Sequence, residues 1–126
     1  MRAVDTNVLV RLITGDGPRQ AASADVFIEN GAWVSILAVA ETTWVLSTVY
    51  KLNAKELAAG VEMLLNHKHL TLQDSDAVAL ALELFRAGPA LGFSDCLMLQ
   101  LARKAGHLPL GTFDRLLGRV VGTQNL

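Results

Sequence analysis

Four acidic residues of the chain lie inside segments that are otherwise apolar. They are Asp5 in AVDTNVLV, Glu41 in ILAVAETTWV, Asp95 in GFSDCLML and Asp114 in PLGTFDRLL. Asp and Glu side chains are rarely fully buried unless they are paired or bind a metal ion. If the four carboxylates converge, a cation must compensate their repulsion, and oxygen ligands without Cys or His favour hard ions such as Mg²⁺ or Mn²⁺. The pattern therefore predicts a metal site made of these four acids.

Each acid also has a purely structural interpretation. Asp5 can cap the helix that follows it, Asp95 suits the first turn of its helix, and Asp114 can cap a short C-terminal helix. Glu41 is harder to explain in this way, because it lies six residues past Ser35, the predicted start of its helix. Neither capping nor the helix dipole stabilises a carboxylate there, so Glu41 points to function.

Polar residues next to the acids are candidates for a supporting role. These residues are Thr6, Asn7, Ser94 and Thr112. Their hydroxyl and amide groups can orient carboxylates or the waters around a metal ion. The alternative for each is an ordinary cap or turn residue, and that alternative is favoured for Thr6 and Ser94.

Short apolar runs alternate with longer helical patterns, which predicts an α/β fold with a short, mostly parallel central sheet flanked by helices. The predicted strands cover residues 2–4, 33–34, 69–74 with its turn, 107–110 and 119–121. The predicted helices cover residues 8–13, 18–30, 36–50, 55–66, 77–88 and 95–106. The predicted helix starts are Pro18, Ser35, the capping-box pair Asn53 and Glu56, Asp74 or Asp76, and Ser94. Because the carboxyl ends of parallel strands share one edge of a sheet, we expect the four acids near that edge.

Composition limits the classes of function. A chain of 126 residues with 52% apolar and 18% charged residues is expected to form one domain, residues 1–126, and is not disordered. The net charge of -1 excludes nucleic-acid binding through a broad polycationic face alone. If the substrate is a nucleic acid, something other than side-chain charge must therefore meet its phosphates. The single Cys96 excludes an internal disulfide and favours a cytoplasmic protein.

Residues 31–50 are apolar enough to be considered as a membrane span. Glu41 lies near the middle of this segment, and a carboxylate there would cost roughly 2.5–3.5 kcal/mol on insertion. We interpret the segment as a buried strand and helix, and we expect no association with a membrane.

Four motifs, read in order, give the chain a resemblance to a known family. VDTNVLVR contains Asp5, SILAVAE ends at Glu41, SDCLMLQLARKAG contains Asp95 and TFD ends at Asp114. Together they resemble the motifs of PIN-domain ribonucleases, most closely the toxin half of bacterial and archaeal VapBC toxin–antitoxin pairs. The order of the acids, their types and the chain length agree with this family over nearly the whole chain.

The resemblance implies a metal-dependent endoribonuclease toxin with Mg²⁺ or Mn²⁺ as cofactor. It implies that Asp5, Glu41, Asp95 and Asp114 are the acidic quartet and that Thr112 supports them. It further implies cleavage of RNA to 3′-hydroxyl and 5′-phosphate ends, inhibition by a cognate antitoxin, and a homodimer. One departure is Leu116, which stands where many relatives have a further acid.

Two other classes of function compete with this interpretation. One is a phosphatase or phosphotransfer domain with Asp5 as nucleophile, although Asn7 stands where a second Asp is expected. The other is a PIN-like module that binds RNA or protein without cutting. Trp33, Trp44 and Phe93 are interpreted as core residues rather than as stacking platforms for bases.

Overall fold

Short strands followed directly by helices organise the chain, as the alternation in the sequence predicts. The computed structural model describes all 126 residues, Met1–Leu126. The chain divides into two compact units, which we call the first unit, Met1–Ser75, and the second unit, Asp76–Leu126. Six α-helices and two short parallel sheets confirm the α/β class.

The first unit contains a three-stranded parallel sheet in the order β1-β2-β3. Its strands are β1 (Arg2–Val4), β2 (Ala32–Val34) and β3 (Leu70–Leu72). In the register of the sheet, Val34 pairs with Val4 on one side and with Leu72 on the other. Parallel neighbours need crossover connections, which the four helices of this unit supply. These helices are α1 (Thr6–Thr14), α2 (Pro18–Ile28), α3 (Ile36–Thr48) and α4 (Ala54–Asn66).

Three helix starts in the first unit are confirmed. The Ser35 hydroxyl accepts a hydrogen bond from the Ala38 N–H at 3.0 Å and caps α3. Asn53 and Glu56 form the predicted capping box of α4, with hydrogen bonds of 2.8 and 3.0 Å. Pro18 is the first residue of α2, where its missing N–H removes no helical hydrogen bond.

Apolar side chains from strands and helices form the interior of the first unit. α1 packs against α2 and α3, and α3 packs against α4. Leu9, Val34, Leu46 and Leu64 are fully buried. Each such side chain contributes about 1.5–3 kcal/mol to folding, so this packing fixes the positions of β1, β2 and the helices that follow them.

The core role predicted for Trp33 and Trp44 is wrong, whereas Phe93 is buried. Trp44 is 64% exposed, because α3 is apolar on nearly all sides and only one side can face the interior. Val39 and Leu46 occupy that interior side and are completely buried. Trp33 is 38% exposed, because it lies between two buried residues of β2 and so points to the other face of the sheet.

The second unit contains two helices followed by a small sheet. Its elements are α5 (Ser75–Ala87, which starts at the last residue of the first unit), α6 (Phe93–Ala105), β4 (Leu110–Thr112), a 3₁₀ helix (Leu117–Arg119) and β5 (Thr123–Asn125). β4 and β5 pair in parallel. Phe85 and Phe93 pack edge to face with their ring centres 5.9 Å apart, which joins α5 to α6.

The predicted cap of α6 at Ser94 is wrong. The helix starts at Phe93 after Gly92, and the Cys96 N–H donates to the Gly92 carbonyl at 3.1 Å. Ser94 therefore lies inside the first turn of the helix. Asp95 lies in the same turn, where the helix dipole favours a negative charge.

Both strands predicted near the C-terminus are shifted. Residues 107–109 are not a strand, since Pro109 has no N–H to donate, and pairing begins where the Leu110 N–H donates to the Gly122 carbonyl at 2.9 Å. The strand predicted at 119–121 lies instead at Thr123–Asn125, because the chain first turns through the 3₁₀ helix.

The apolar segment 31–50 forms β2 and α3, as predicted. No helix of the protein is both long and apolar enough to cross a membrane.

Candidate active site

In the first unit, β1 ends at Val4 and delivers Asp5 to the start of α1. Asp5 is exposed, and its Oδ1 accepts a hydrogen bond from the Val8 N–H at 3.2 Å. The capping interpretation of Asp5 is therefore confirmed. Because one oxygen of the carboxylate makes this bond, the Oδ2 atom stays free to bind a cation.

Glu41 is held by a hydrogen bond from the helix that Asp5 caps. The Thr6 hydroxyl donates to Oε1 of Glu41 at 3.0 Å, which joins α1 to α3. α3 itself begins at the end of β2, next to β1 in the sheet, so the two helices start from the same sheet edge. Asp5 and Glu41 are both exposed, and Thr6, the residue after Asp5 in the chain, makes the hydrogen bond to Glu41. Asn7 is exposed and makes no side-chain hydrogen bond.

Glu41 lies between exposed apolar side chains. Leu37 precedes it by one helical turn and Trp44 follows it by another, and they are 68% and 64% exposed. The sequence placed Trp44 in the core because apolar residues surround it on all sides of α3. Its exposure depends on which side of α3 packs against the interior, and the apolar pattern of this helix does not show that side.

In the second unit, Asp95 and Asp114 interact electrostatically. Asp95 is half-buried, and this burial raises the pKa of its carboxyl above the usual 3.8. The negative charge of Asp114 raises that pKa further. Each carboxylate disfavours the ionised form of the other, and a cation bound beside both would stabilise their ionised forms.

Asp114 is positioned by a tight network at the end of β4. Its Oδ1 accepts hydrogen bonds from the N–H groups of Leu116 and Leu117, both at 2.9 Å. The N-cap of the 3₁₀ helix is Leu116, and the Asp114 carboxylate stabilises the turn that leads into this helix. Thr112 reinforces the position, because its hydroxyl oxygen accepts from the Asp114 N–H at 3.0 Å. Asp114 is exposed, and its Oδ2 remains available.

Cys96 follows Asp95 but has no nucleophilic character. Its side chain is completely buried, and burial raises the pKa of its thiol to about 11, with a further contribution from the charge of Asp95. The thiol is therefore protonated at neutral pH and serves as a small core side chain.

Most arginine and lysine side chains near the motifs are engaged within the protein. Arg11 forms an ion pair with Asp16 at 3.2 Å, and Lys104 forms one with Asp76 at 2.8 Å. Arg103 donates to the Val121 carbonyl. These three side chains are therefore at least partly occupied by contacts within the protein.

The structure brings the predicted site residues together in pairs. Thr6 and Glu41 are in contact in the first unit, and Asp95 and Asp114 interact in the second. Nowhere do three or more His, Cys, Asp or Glu side chains gather closely enough to hold a metal ion. The donor chemistry nevertheless fits a hard ion, since every candidate ligand is a carboxylate oxygen. Convergence of all four acids stays a prediction.

Asp5 lies at the carboxyl end of a parallel strand, the edge at which open α/β sheets bind ligands, and Glu41 is bonded to the helix that follows that strand. The PIN domain family model matches the chain over residues 2–122. The protein therefore belongs to the PIN-domain family, which has a nuclease fold and whose members are generally metal-dependent nucleases. No curated protein matches the chain.

Proposed function

We propose that this protein is a metal-dependent endoribonuclease that acts as a toxin and is inhibited by a cognate antitoxin. The observation that carries the proposal is the Asp5–Thr6–Glu41 arrangement, in which the Thr6 hydroxyl donates to Glu41 at 3.0 Å beside the exposed Asp5. Membership of the PIN-domain family supports the nuclease activity. The sequence resemblance to VapBC toxins supports the biological role.

The acids of the first unit have distinct tasks in this proposal. Asp5 keeps its backbone rigid by capping α1 with one oxygen and offers the other oxygen as a ligand. Thr6 fixes the orientation of Glu41, which offers its second oxygen. A bound Mg²⁺ or Mn²⁺ supplies the positive charge that attracts a phosphodiester and stabilises the charge developing on its oxygens. Preorganised ligands make that stabilisation effective, because no reorganisation is needed during the reaction.

Asp95 and Asp114 are proposed as the other two ligands, on the basis of the sequence pattern and the family. The raised pKa of Asp95 supports this assignment, since perturbed carboxyl groups concentrate at functional sites. Thr112 and the backbone of the 3₁₀ helix hold Asp114 in place. Ser94 and Asn7 stay proposed as supporting residues.

Partners and location complete the proposal. The substrate is RNA, the partners are an antitoxin and a second copy of the chain, and the protein acts in the cytoplasm. The two large exposed apolar side chains of α3, Leu37 and Trp44, support a protein interface. Light scattering at tens of micromolar tests the dimer, and a strictly monomeric mass would contradict it.

Cleavage of single-stranded RNA in Mn²⁺ tests the enzyme. We expect cutting that stops with EDTA and leaves 5′-phosphate and 3′-hydroxyl ends. Glu41→Gln should reduce the rate by orders of magnitude, because a charged ligand is lost while the helix is kept. Glu83→Gln is the matched control, since Glu83 is an exposed helical glutamate outside the site, and its rate should equal that of the wild type. Equal rates for the two variants would refute the role of Glu41.

A further inference from the structure

A groove between α1 and α2 lies in the first unit. Its volume is about 480 Å³, which is within the range of ligand pockets. Polar side chains line much of it, together with apolar side chains such as Phe27. The polar lining consists of Asn7, Arg11, Arg19, Gln20 and Ser23.

The lining of the groove is cationic. It contains two arginines and no Asp or Glu. Arg11 is held in place by Asp16, which also accepts a hydrogen bond from the Tyr50 hydroxyl at 2.8 Å. The Arg11 Nε atom is buried without a hydrogen-bond partner, so this guanidinium is not fully satisfied by the protein. Arg19 is exposed and has no ion pair, and it therefore leaves a full positive charge at the groove.

The other polar groups of the groove are also unused. The side chains of Asn7, Gln20 and Ser23 are exposed and make no hydrogen bond within the protein. Amide and hydroxyl groups of this kind, like arginine, are among the groups with which proteins contact phosphate and sugar. Three unpaired polar side chains beside an unpaired guanidinium thus form a donor-rich surface.

The position of the groove connects it to the candidate acids. Asn7 is in the first turn of α1, two residues after Asp5 and next to Thr6. Arg11 follows Asn7 by four residues and so lies on the same face of α1. The lining therefore begins beside Asp5 and extends along both helices to Arg19 at the start of α2.

We infer that this groove binds the sugar–phosphate backbone of the RNA strand next to the bond that is cut. The inference rests on the proposed function and names the surface that holds the substrate. Arg19 contacts a phosphate, and the amide and hydroxyl groups contact phosphate oxygens or 2′-hydroxyls. Because these contacts read no base, the groove adds affinity for any RNA sequence.

RNA suits the groove better than a peptide for two reasons. Its unpaired groups include the Arg19 cation and the amide and hydroxyl donors of Asn7, Gln20 and Ser23, which match a regular row of anionic oxygens. The groove also starts at the candidate acids, where an RNA strand must continue on at least one side of the cleaved bond.

Charge reversal at Arg19 tests the inference with a closely matched control. Arg19→Glu and Lys55→Glu change the charge equally, and each places an acid at the second position of an exposed helix start, where it suits the helix dipole. Binding of a fluorescein-labelled uridine oligomer is measured by anisotropy in EDTA, over a range of salt concentrations. For Arg19→Glu we expect the affinity for the oligomer to fall by about tenfold or more. The slope of the logarithm of the binding constant against the logarithm of the salt concentration should become shallower by about 0.7. Lys55→Glu should bind within about twofold of wild type.

A second pair of variants tests the groove without changing an arginine. Ser23→Glu places a carboxylate in the groove, whereas Ala22→Glu places the same charge on the neighbouring residue of α2, outside the groove. We expect only Ser23→Glu to weaken RNA binding. If Ser23→Glu, Ala22→Glu and Arg19→Glu all bound RNA as tightly as the wild type, the inference would be overturned. RNA cleavage by the wild type in Mn²⁺ would still leave the proposed function intact.

Two further outcomes separate the alternatives. If the variants show the expected binding pattern but the wild type never cleaves RNA, the groove is a backbone-binding surface and the proposed function fails. If Arg19→Glu changes the molar mass in light scattering and leaves RNA binding unaltered, the groove is a protein interface and the inference is wrong.

Discussion

Asp5 has two tasks in the proposed site, and substitutions can separate them. Its Oδ1 accepts the Val8 N–H at 3.2 Å and caps α1, whereas its charge is needed for the cation. Asn and Asp rank together as caps, but Ala loses about 1 kcal/mol, within a range of about 0.5–2 kcal/mol. Asp5→Asn should therefore fold as stably as wild type, and Asp5→Ala should not.

The size of the thermal effect follows from the length of the chain. An unfolding entropy of about 2.1 cal/mol/K per residue gives about 0.26 kcal/mol/K for this protein. A loss of about 1 kcal/mol then lowers Tm by about 4 °C. We expect this decrease for Asp5→Ala and less than about 1 °C for Asp5→Asn, measured by calorimetry in EDTA.

RNA cleavage completes the comparison. Both Asp5 variants should lose activity by orders of magnitude, because both remove the charged ligand. Asn53→Ala is the control, since Asn53 caps α4 through a 2.8 Å hydrogen bond and lies outside the proposed site. It should lower Tm about as much as Asp5→Ala does and keep its activity. If Asp5→Asn cut RNA at the wild-type rate, Asp5 would be a cap only and the proposed ligand set would be wrong.

Three further predictions concern Asp95 and two residues next to candidate acids, Thr6 and Cys96. Thr6→Val loses the hydrogen bond to Glu41, and because bonds to charged groups contribute about 1.5–3 kcal/mol, we expect the cleavage rate to fall by roughly tenfold or more. Thr6→Ser keeps the hydroxyl and should stay near the wild-type rate, so equal rates for both variants would contradict the role of Thr6. Because the pKa of Asp95 is raised above 3.8 by burial and by Asp114, its ionisation destabilises the folded chain, and stability due to this group falls as pH rises through the raised pKa. Asp95→Asn should remove that fall and make the metal-free protein more stable at neutral pH in urea titrations, and lower stability would contradict this. Cys96, with a pKa of about 11 and a completely buried side chain, should react with a thiol reagent only when the protein unfolds, which absorbance detects.

The sequence specified the local structure best where side chain and backbone interact within a few residues. Asn53 and Glu56 could be identified as a capping box and Pro18 as a helix start, because both depend only on spacing along the chain. The predicted strands at 107–110 and 119–121 were misplaced. Their positions depend on tertiary pairing and on the turn that the Asp114 carboxylate stabilises.

The acids were found from sequence because carboxylates in apolar segments are conspicuous. The hydrogen bond from Thr6 to Glu41 could not be predicted, since it joins residues 35 positions apart. The exposure of Trp44 and the cationic groove at Arg19 also escaped prediction. Both depend on which side of a helix packs inward. The sides of α2 and of α3 differ only weakly in hydrophobicity, so the sequence does not show which side is buried.

The most direct test of the central claim is a manganese titration of the metal-free protein. Protein treated with EDTA and then dialysed is titrated with Mn²⁺, while electron paramagnetic resonance reports free Mn²⁺ and single-turnover RNA cleavage reports activity. We expect saturable binding, with cleavage absent before Mn²⁺ is added and rising in parallel with occupancy, and we expect both to be lost in Glu41→Gln. Cleavage at full rate in the metal-free protein, unaffected by Mn²⁺ and by Glu41→Gln, would contradict the claim that these acids hold a catalytic metal ion.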